Sequence, residues 1–118
     1  MDNETRIQEL KEKVKKFCEA RDWDQFHNIK DLAIALSIET SELLELFRWK
    51  NPHEIEEVMK NKKSEVEEEL ADILYFLLRI AQMNNIDLSN ALDKKIEKNE
   101  KRYSVDKFKG SNKKYNEE

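Results

Sequence analysis

Hydrophobic residues recur along this chain at intervals of three and four positions, which places them on one side of an α-helix. Ile7, Leu10, Val14 and Phe17 follow this spacing and predict a first amphipathic helix over about residues 4–21. The chain is therefore expected to begin with a helix that packs through this apolar side.

Polar and turn-forming residues divide the rest of the chain into further predicted helices. These are expected over residues 29 to 47 or 49, from 52 to about 60, from 64 to about 84, and from 87 to about 103. Candidate N-terminal caps precede them: Asn28 or Asp31, Asn51 before Pro52, a capping box from Ser64 to Glu67, and Asp87 or Ser89. The segment 21–28 carries two aromatic residues and a histidine and is predicted to be an ordered loop.

Length and composition support a single helical domain. The 118 residues suit one compact domain, and the single Gly and single Pro leave little material for tight turns or glycine-rich phosphate loops. We expect an all-α, four-helix bundle-like fold over residues 1–103. Residues 104–118 are polar and show no sustained periodicity, so they are expected to form a mobile tail.

Charge and cysteine content narrow the range of partners and locations. The formal charge is -4, which offers no broad cationic face to a nucleic acid polymer. The most apolar stretch, residues 70–80, is much shorter than a membrane span. The lone Cys18 and a charged N-terminal segment without an apolar core predict a cytoplasmic protein.

Four carboxylates fall on the apolar sides of two predicted helices. On a helical wheel, Glu39 and Glu42 lie among the leucines of the second helix. Glu69 and Asp72 lie among the apolar residues of the long fourth helix in the same way. Buried carboxylates require compensation, because an unpaired charge in an apolar environment is destabilising.

Salt bridges and a divalent metal are the two ways to supply that compensation. Arg48 and Arg79 flank the two apolar stripes without lying inside them, whereas one metal ion could serve all four acids at once. An all-carboxylate donor set favours Mg²⁺, with Mn²⁺ as the alternative. Because Mg²⁺ commonly completes its coordination with substrate phosphates, a nucleotide is the expected partner. Lys95 and Arg102 are candidate phosphate-binding side chains.

The acidic pairs and several longer segments resemble the MazG-like nucleotide pyrophosphohydrolases of the all-α NTP pyrophosphatase superfamily. The pairs are Glu39-x-x-Glu42 and Glu69-x-x-Asp72, separated by 26 residues. The segments that resemble the dCTP pyrophosphatase branch are residues 21–27, 42–50 and 68–74, together with Lys95, Asn99, Arg102 and Tyr103. The resemblance covers about residues 10–115.

The resemblance implies roles for individual residues. Glu39, Glu42, Glu69 and Asp72 match the metal ligands. The positions that line the nucleotide pocket or lie near its phosphates and base are Trp23, His27, Trp49, Lys95 and Asn99. Either Glu42 or Glu45 could orient the attacking water, which makes both candidate catalytic residues. The alternative for Trp23 and Trp49 is an anchor in the core or in an interface.

The expected function is Mg²⁺-dependent cleavage of a nucleoside triphosphate, with dCTP or a modified dCTP as candidates, to the monophosphate and pyrophosphate. Such an activity would clear unwanted nucleotides from the pool. The resemblance also implies a homodimer or a homotetramer. The alternatives are a non-catalytic helical interaction module, in which the acids form salt bridges, and a regulatory nucleotide-binding protein without turnover.

Overall fold

The computed structural model describes residues 1–117, in which the regular secondary structure consists of helices and no strand occurs. The helices are α1 (Ile7–Glu19), α2 (Ile29–Glu45), α3 (Pro52–Asn61), α4 (Lys63–Met83), α5 (Leu88–Arg102) and α6 (Val105–Phe108), with a 3₁₀ turn at Asp24–Phe26 between α1 and α2. The predicted all-α fold class is confirmed. The chain forms two compact units. The first covers residues 1–85 and contains α1 to α4, and the second begins at Ile86 and contains α5 and α6.

Helix α4 is the centre of the first unit. It packs most extensively against α2, then against α1, and at its N-terminal end against α3. Six hydrophobic side chains of this unit are buried, and they come from all four helices: Cys18, Leu32, Val58, Val66, Leu78 and Ala81. Because α2 and α4 lie against each other, the two acidic pairs of the sequence meet on adjacent helices.

The second unit is organised around aromatic side chains that follow α5. The ring of Tyr103 makes edge-to-face contacts with Phe108 in α6 and with Tyr115, at centroid distances of 5.0 and 5.9 Å. The segment that was expected to be a mobile tail therefore includes one turn of helix and two ring contacts. A domain boundary at residue 103 and a mobile tail stay predictions.

Three of the four helices with a predicted N-terminal cap begin at that cap. Asn28 and Asp87 each accept a hydrogen bond from the backbone amide three residues on. Asn51 and Glu54 form a reciprocal capping box at the start of α3, with Pro52 as the first helical residue. These bonds satisfy amides that the first turn of a helix leaves without partners.

The capping box predicted at Ser64 is wrong. Helix α4 begins one residue earlier, at Lys63, and its N-cap residue Lys62 makes no side-chain capping bond. The Lys62 amide donates to the carbonyl of Val58, while the Lys62 carbonyl accepts from the amide of Glu65. Lys62 thus ends α3 and begins α4, which leaves Ser64 inside the first turn instead of in the extended conformation that an N-cap requires.

Within residues 1–117, none of the helices has both the length and the apolar composition that crossing a lipid bilayer requires.

The two capping sites make a matched pair for a stability measurement. Asn51→Ala removes a bond present at the N-terminus of α3 and should lower the free energy of unfolding by about 0.5–2 kcal/mol. Ser64→Ala removes a hydroxyl that caps nothing and should change it by less than about 0.5 kcal/mol. Urea denaturation of both variants measures the difference. Equal losses in the two variants would contradict the observed helix starts.

Candidate metal centre and nucleotide pocket

Three acidic side chains meet where α2 packs against α4. Glu39 comes from α2, and Glu69 and Asp72 come from successive turns on one face of α4. One carboxylate oxygen from each lies within 4.8 Å of the others, and all three residues are half-buried. The predicted convergence of the two acidic pairs is therefore observed for three of the four acids.

Two oxygens of this cluster have no hydrogen-bond partner among the described residues. They are Oε2 of Glu39 and Oε2 of Glu69, and both atoms are buried. A buried, unpaired carboxylate oxygen is costly, because the water that solvated it has not been replaced. The cost disappears when the carboxylate takes up a proton or binds a cation.

The arginines that could have neutralised the cluster are engaged elsewhere. Arg48 pairs with Glu45 at 3.3 Å, and Arg79 pairs with Asp24. Salt bridges to the acidic cluster were the alternative to a metal, and neither arginine forms one. Closely spaced oxygen donors without a positive partner suit a hard divalent cation such as Mg²⁺.

The electrostatics of the cluster reflect this lack of a counter-charge. Burial, together with repulsion from the nearby carboxylates of Glu42, Asp72 and Glu69, raises the pKa of Glu39 to about 7. Burial also raises the pKa of Glu69, and Glu42 and Asp72 add to that effect. A bound cation would reverse this tendency and favour the ionised forms.

Glu42 lies at the edge of the cluster, and its predicted burial is wrong. Its side chain is exposed, because the face of α2 that carries Ile38 and Glu45 is open. The Glu42 carboxylate is nevertheless close enough to raise the pKa values of Glu39 and Glu69. An open pocket of about 300 Å³ beside it is lined by Ser37, Ile38, Ser41, Glu42 and Glu45.

The segment between α1 and α2 brings two of the predicted pocket residues together. The rings of Trp23 and His27 make an edge-to-face contact at 6.2 Å, and Trp23 makes a second one with Phe17 at 5.6 Å. Trp23 is 37% exposed, so part of its indole faces solvent. The predicted ordered loop contains the 3₁₀ turn, which fixes the spacing of the two rings.

Trp49 follows the end of α2 in an unusual conformation. The helix ends at Glu45, earlier than predicted, and Trp49 has a φ of 63°, in the left-handed region that favours glycine. Its side chain is 88% exposed, with the Arg48 guanidinium 5.4 Å from the ring. Trp49 therefore does not anchor the core of this chain, and the ligand and interface interpretations remain.

The predicted phosphate-side residues lie in the second unit, on one face of α5. Lys95 is exposed, whereas Asn99 and Arg102 are half-buried. The guanidinium of Arg102 lies 4.7 Å from the ring centroid of Tyr115. Their contact with a nucleotide stays a prediction.

Arg79 is the residue of this region that sequence reasoning did not identify. It was placed beside the apolar stripe of the fourth helix, yet it is 1% exposed and is hydrogen-bonded to the predicted pocket residue His27. An arginine inside the most apolar stretch of the chain was the available signal, because such a charge must find acceptors.

Comparison with known proteins gives the family. The sequence pattern of the MazG-like family matches residues 34–117, which include the acidic cluster. The chain belongs to the MazG-like family. A dCTP pyrophosphatase 1 from Rattus norvegicus is 34% identical over 114 residues, covering 95% of this chain and 67% of the rat protein. The Homo sapiens dCTP pyrophosphatase 1 is 33% identical over 116 residues, covering 97% of this chain and 68% of the human protein.

A solved structure agrees with this assignment to the MazG-like family. The crystal structure of a pyrophosphatase from Archaeoglobus fulgidus matches with a TM-score of 0.80 and 40% sequence identity, over 83% of this chain and 92% of that one. The predicted family is confirmed. The predicted class of enzyme, a nucleoside triphosphate pyrophosphatase, is confirmed as well.

The raised pKa of Glu39 predicts how stability depends on pH in metal-free protein. Its folded value of about 7 lies above the reference value of 4.5, so the folded state binds a proton more tightly than the unfolded state does. The contribution is favourable below about pH 4.5 and is lost as the pH rises through about 7. Glu39→Gln should therefore flatten the fall in stability between these pH values.

Chemical denaturation in EDTA at several pH values measures this slope. Glu67→Gln on the exposed side of α4 is the matched control and should keep the wild-type slope. A slope in Glu39→Gln equal to that of wild type would contradict the assignment, whereas a reduced slope can remain from Glu69, whose pKa is also raised.

Proposed function

We propose that this chain hydrolyses dCTP or a modified dCTP to the monophosphate and pyrophosphate with Mg²⁺ as cofactor. The observation that carries the metal dependence is the cluster of Glu39, Glu69 and Asp72 with two buried, unpartnered oxygens. The choice of nucleotide is supported by the dCTP pyrophosphatases that resemble almost the whole chain.

Glu39, Glu69 and Asp72 would hold the metal, and Glu42 at the edge of the cluster is the fourth proposed ligand. All four offer hard oxygen donors from two helices that are packed together, so the donors are held in place before the ion binds. When bound, Mg²⁺ supplies charge neutralisation for the triphosphate and lowers the pKa of a coordinated water.

The carboxylates at the edge of the cluster are proposed to orient the attacking water. Glu42 and Glu45 both line the open pocket beside the cluster. Glu45 also pairs with Arg48 at 3.3 Å, so its carboxylate already has a partner within the chain. Glu42 is therefore the preferred candidate for accepting a proton from that water.

The aromatic residues are proposed to bind the nucleoside. Trp23 and His27 present a partly exposed indole beside an imidazole, which together offer a flat face and a hydrogen-bonding group. The exposed ring of Trp49 offers a second stacking surface. Lys95, Asn99 and Arg102 are proposed to contact the phosphates and base.

We also propose that the enzyme is a homodimer or homotetramer. Six buried hydrophobic side chains make a small core for this length, while two helices carry exposed apolar rows. Ile34 and Ile38 form the row on α2, each 53% exposed, and the row on α4 consists of Leu70, Leu74 and Leu77. Association through these rows would bury them.

The proposed setting is removal of unwanted nucleotides in the cytoplasm. Cys18 is a free thiol and fully buried, as expected for a protein that makes no disulfide.

Removing two cluster carboxylates should abolish hydrolysis without unfolding the protein. The Glu69→Gln/Asp72→Asn variant keeps the side-chain volumes and removes two negative charges that repel each other in the absence of metal. Its melting temperature in EDTA should equal or exceed that of wild type, while pyrophosphate release from dCTP should fall by at least about a thousandfold, since several kcal/mol of charge stabilisation is lost. Glu65→Gln, an exposed change on α4, is the control and should retain activity.

Wild-type turnover by the double variant would contradict the metal assignment. Absence of pyrophosphate release from wild type with every nucleotide tried would instead favour the non-catalytic module.

Two substitutions of Trp49 distinguish the free-energy cost of its left-handed backbone conformation from its proposed role in nucleotide binding. Trp49→Gly removes the strain of a left-handed aromatic residue and should raise the free energy of unfolding by up to about 1 kcal/mol. Trp49→Ala keeps most of that strain and should not. Both variants should lose about 1–3 kcal/mol of nucleotide binding, the range for stacking on an aromatic ring.

Denaturation, nucleotide titration and sedimentation of the same samples measure all three properties. Dissociated oligomers with unchanged affinity per site would identify Trp49 as an interface anchor instead.

A further inference from the structure

Arg79 carries a buried charge whose donors are directed at three different partners. Its side chain is 1% exposed on α4. The Nε–H donates to Nδ1 of His27 at 3.0 Å, and one terminal nitrogen donates to Oε1 of Gln82 at 2.5 Å. The other terminal nitrogen donates to the carboxylate of Asp24, which supplies the compensating charge.

This arrangement determines where the proton of His27 resides. A guanidinium is protonated at every accessible pH and has only donors, so the atom that faces its Nε–H must offer a lone pair. Nδ1 of His27 is therefore unprotonated, and the single ring proton of the neutral imidazole lies on Nε2. Asp24 and Gln82 hold the other side of the guanidinium, which prevents it from turning away.

We infer that Arg79 is a positioning residue that fixes His27 as the neutral Nε2–H tautomer, so that His27 offers a hydrogen-bond donor to its ligand. Nε2 makes no hydrogen bond within the described part of the chain, which leaves this donor for a ligand. The ligand part of this inference rests on the proposed function, whereas the tautomer does not.

The charged groups around His27 support a neutral ring. Burial and the positive charge of Arg79 lower the pKa of His27, and the carboxylate of Asp24 opposes them with the smallest effect. Asp24 is half-exposed, so water weakens its influence. Protonation at Nδ1 would also break the bond from Arg79 and place two cations together.

The consequence is a specific recognition chemistry. A neutral Nε2–H donor binds an acceptor, such as a carbonyl oxygen or an unprotonated ring nitrogen of a nucleobase. It discriminates against a base that presents a donor at the same place, because two donors would then face each other without an acceptor. His27 would therefore select the base instead of binding phosphate through a positive charge.

Long-range ¹H–¹⁵N correlation spectra of the ring nitrogens test the tautomer directly in the intact, nucleotide-free protein. The chain has two histidines, and the second, His53, has an 81% exposed side chain and serves as an internal control. The spectra are recorded between about pH 5 and 8, where histidine rings change charge. His27 should show a protonated Nε2 and an unprotonated Nδ1 across most of that range. A His27 with its proton on Nδ1, or one with both ring nitrogens protonated over most of that range, would overturn the inference.

Variants then test whether Arg79 is responsible. Arg79→Met should convert His27 to a mixture of tautomers and raise the pKa of its ring, because the nearby positive charge that lowers this pKa is removed. It should also reduce the preference for dCTP over dTTP about tenfold, mainly through KM, since one directional hydrogen bond is lost. Leu78→Ala is the control: it disturbs the buried core at the adjacent position of α4, so it should lower stability and leave the His27 spectrum unchanged.

A second pair of variants gives a result even where loss of Arg79 prevents folding. His27→Gln can place an amide donor near the position of Nε2 and should retain part of the base preference, whereas the shorter His27→Asn should lose it. Equal loss in both variants, or an unchanged His27 spectrum in a folded Arg79→Met protein, would contradict the positioning role. The wild-type spectrum with no turnover of any nucleotide would leave the tautomer standing and reject the proposed function.

Discussion

The repulsion among carboxylates between α2 and α4 is the constraint on which the rest of the structure depends. Helices that pack this closely normally bury apolar side chains, yet Glu39, Glu69 and Asp72 converge here with no basic partner in the part of the chain that the structure describes. Their separation is set by the packing of the two helices, so a cation would find the donors already assembled. The monomer tolerates this arrangement because Glu39 can retain a proton near neutral pH.

The same helix α4 contains the opposite solution to a buried charge. Arg79 is almost completely enclosed, and each of its three guanidinium nitrogens donates one hydrogen bond, to His27, Gln82 or Asp24. The charge of Arg79 is compensated within the chain, and its hydrogen bonds hold the segment between α1 and α2. The acidic cluster, about two turns toward the N-terminus, has no basic partner among the described residues. This division separates the proposed nucleoside-binding chemistry from the proposed phosphate chemistry.

The sequence predicted the acidic cluster because its cause is local. Spacing of three residues places two acids on one helix face, and the family resemblance implied that both pairs bind the metal. Burial and helix ends were harder to predict, because they depend on contacts between elements and not on the spacing of residues within one helix. Glu42 is exposed because no element covers its side of α2, and Trp49 lies outside the helix because α2 ends four residues earlier. The burial of Arg79 depends on Asp24, 55 residues away along the chain.

Calorimetric titration of a non-hydrolysable dCTP analogue, with Mg²⁺ and again with EDTA, tests the central claim most directly. The account predicts saturable binding with Mg²⁺ and little or none in EDTA, because the triphosphate would otherwise meet uncompensated carboxylates. Glu69→Gln should lose the metal-dependent binding in the same experiment. Equal affinity with and without Mg²⁺ in wild type would contradict the claim that these carboxylates form a metal–triphosphate site.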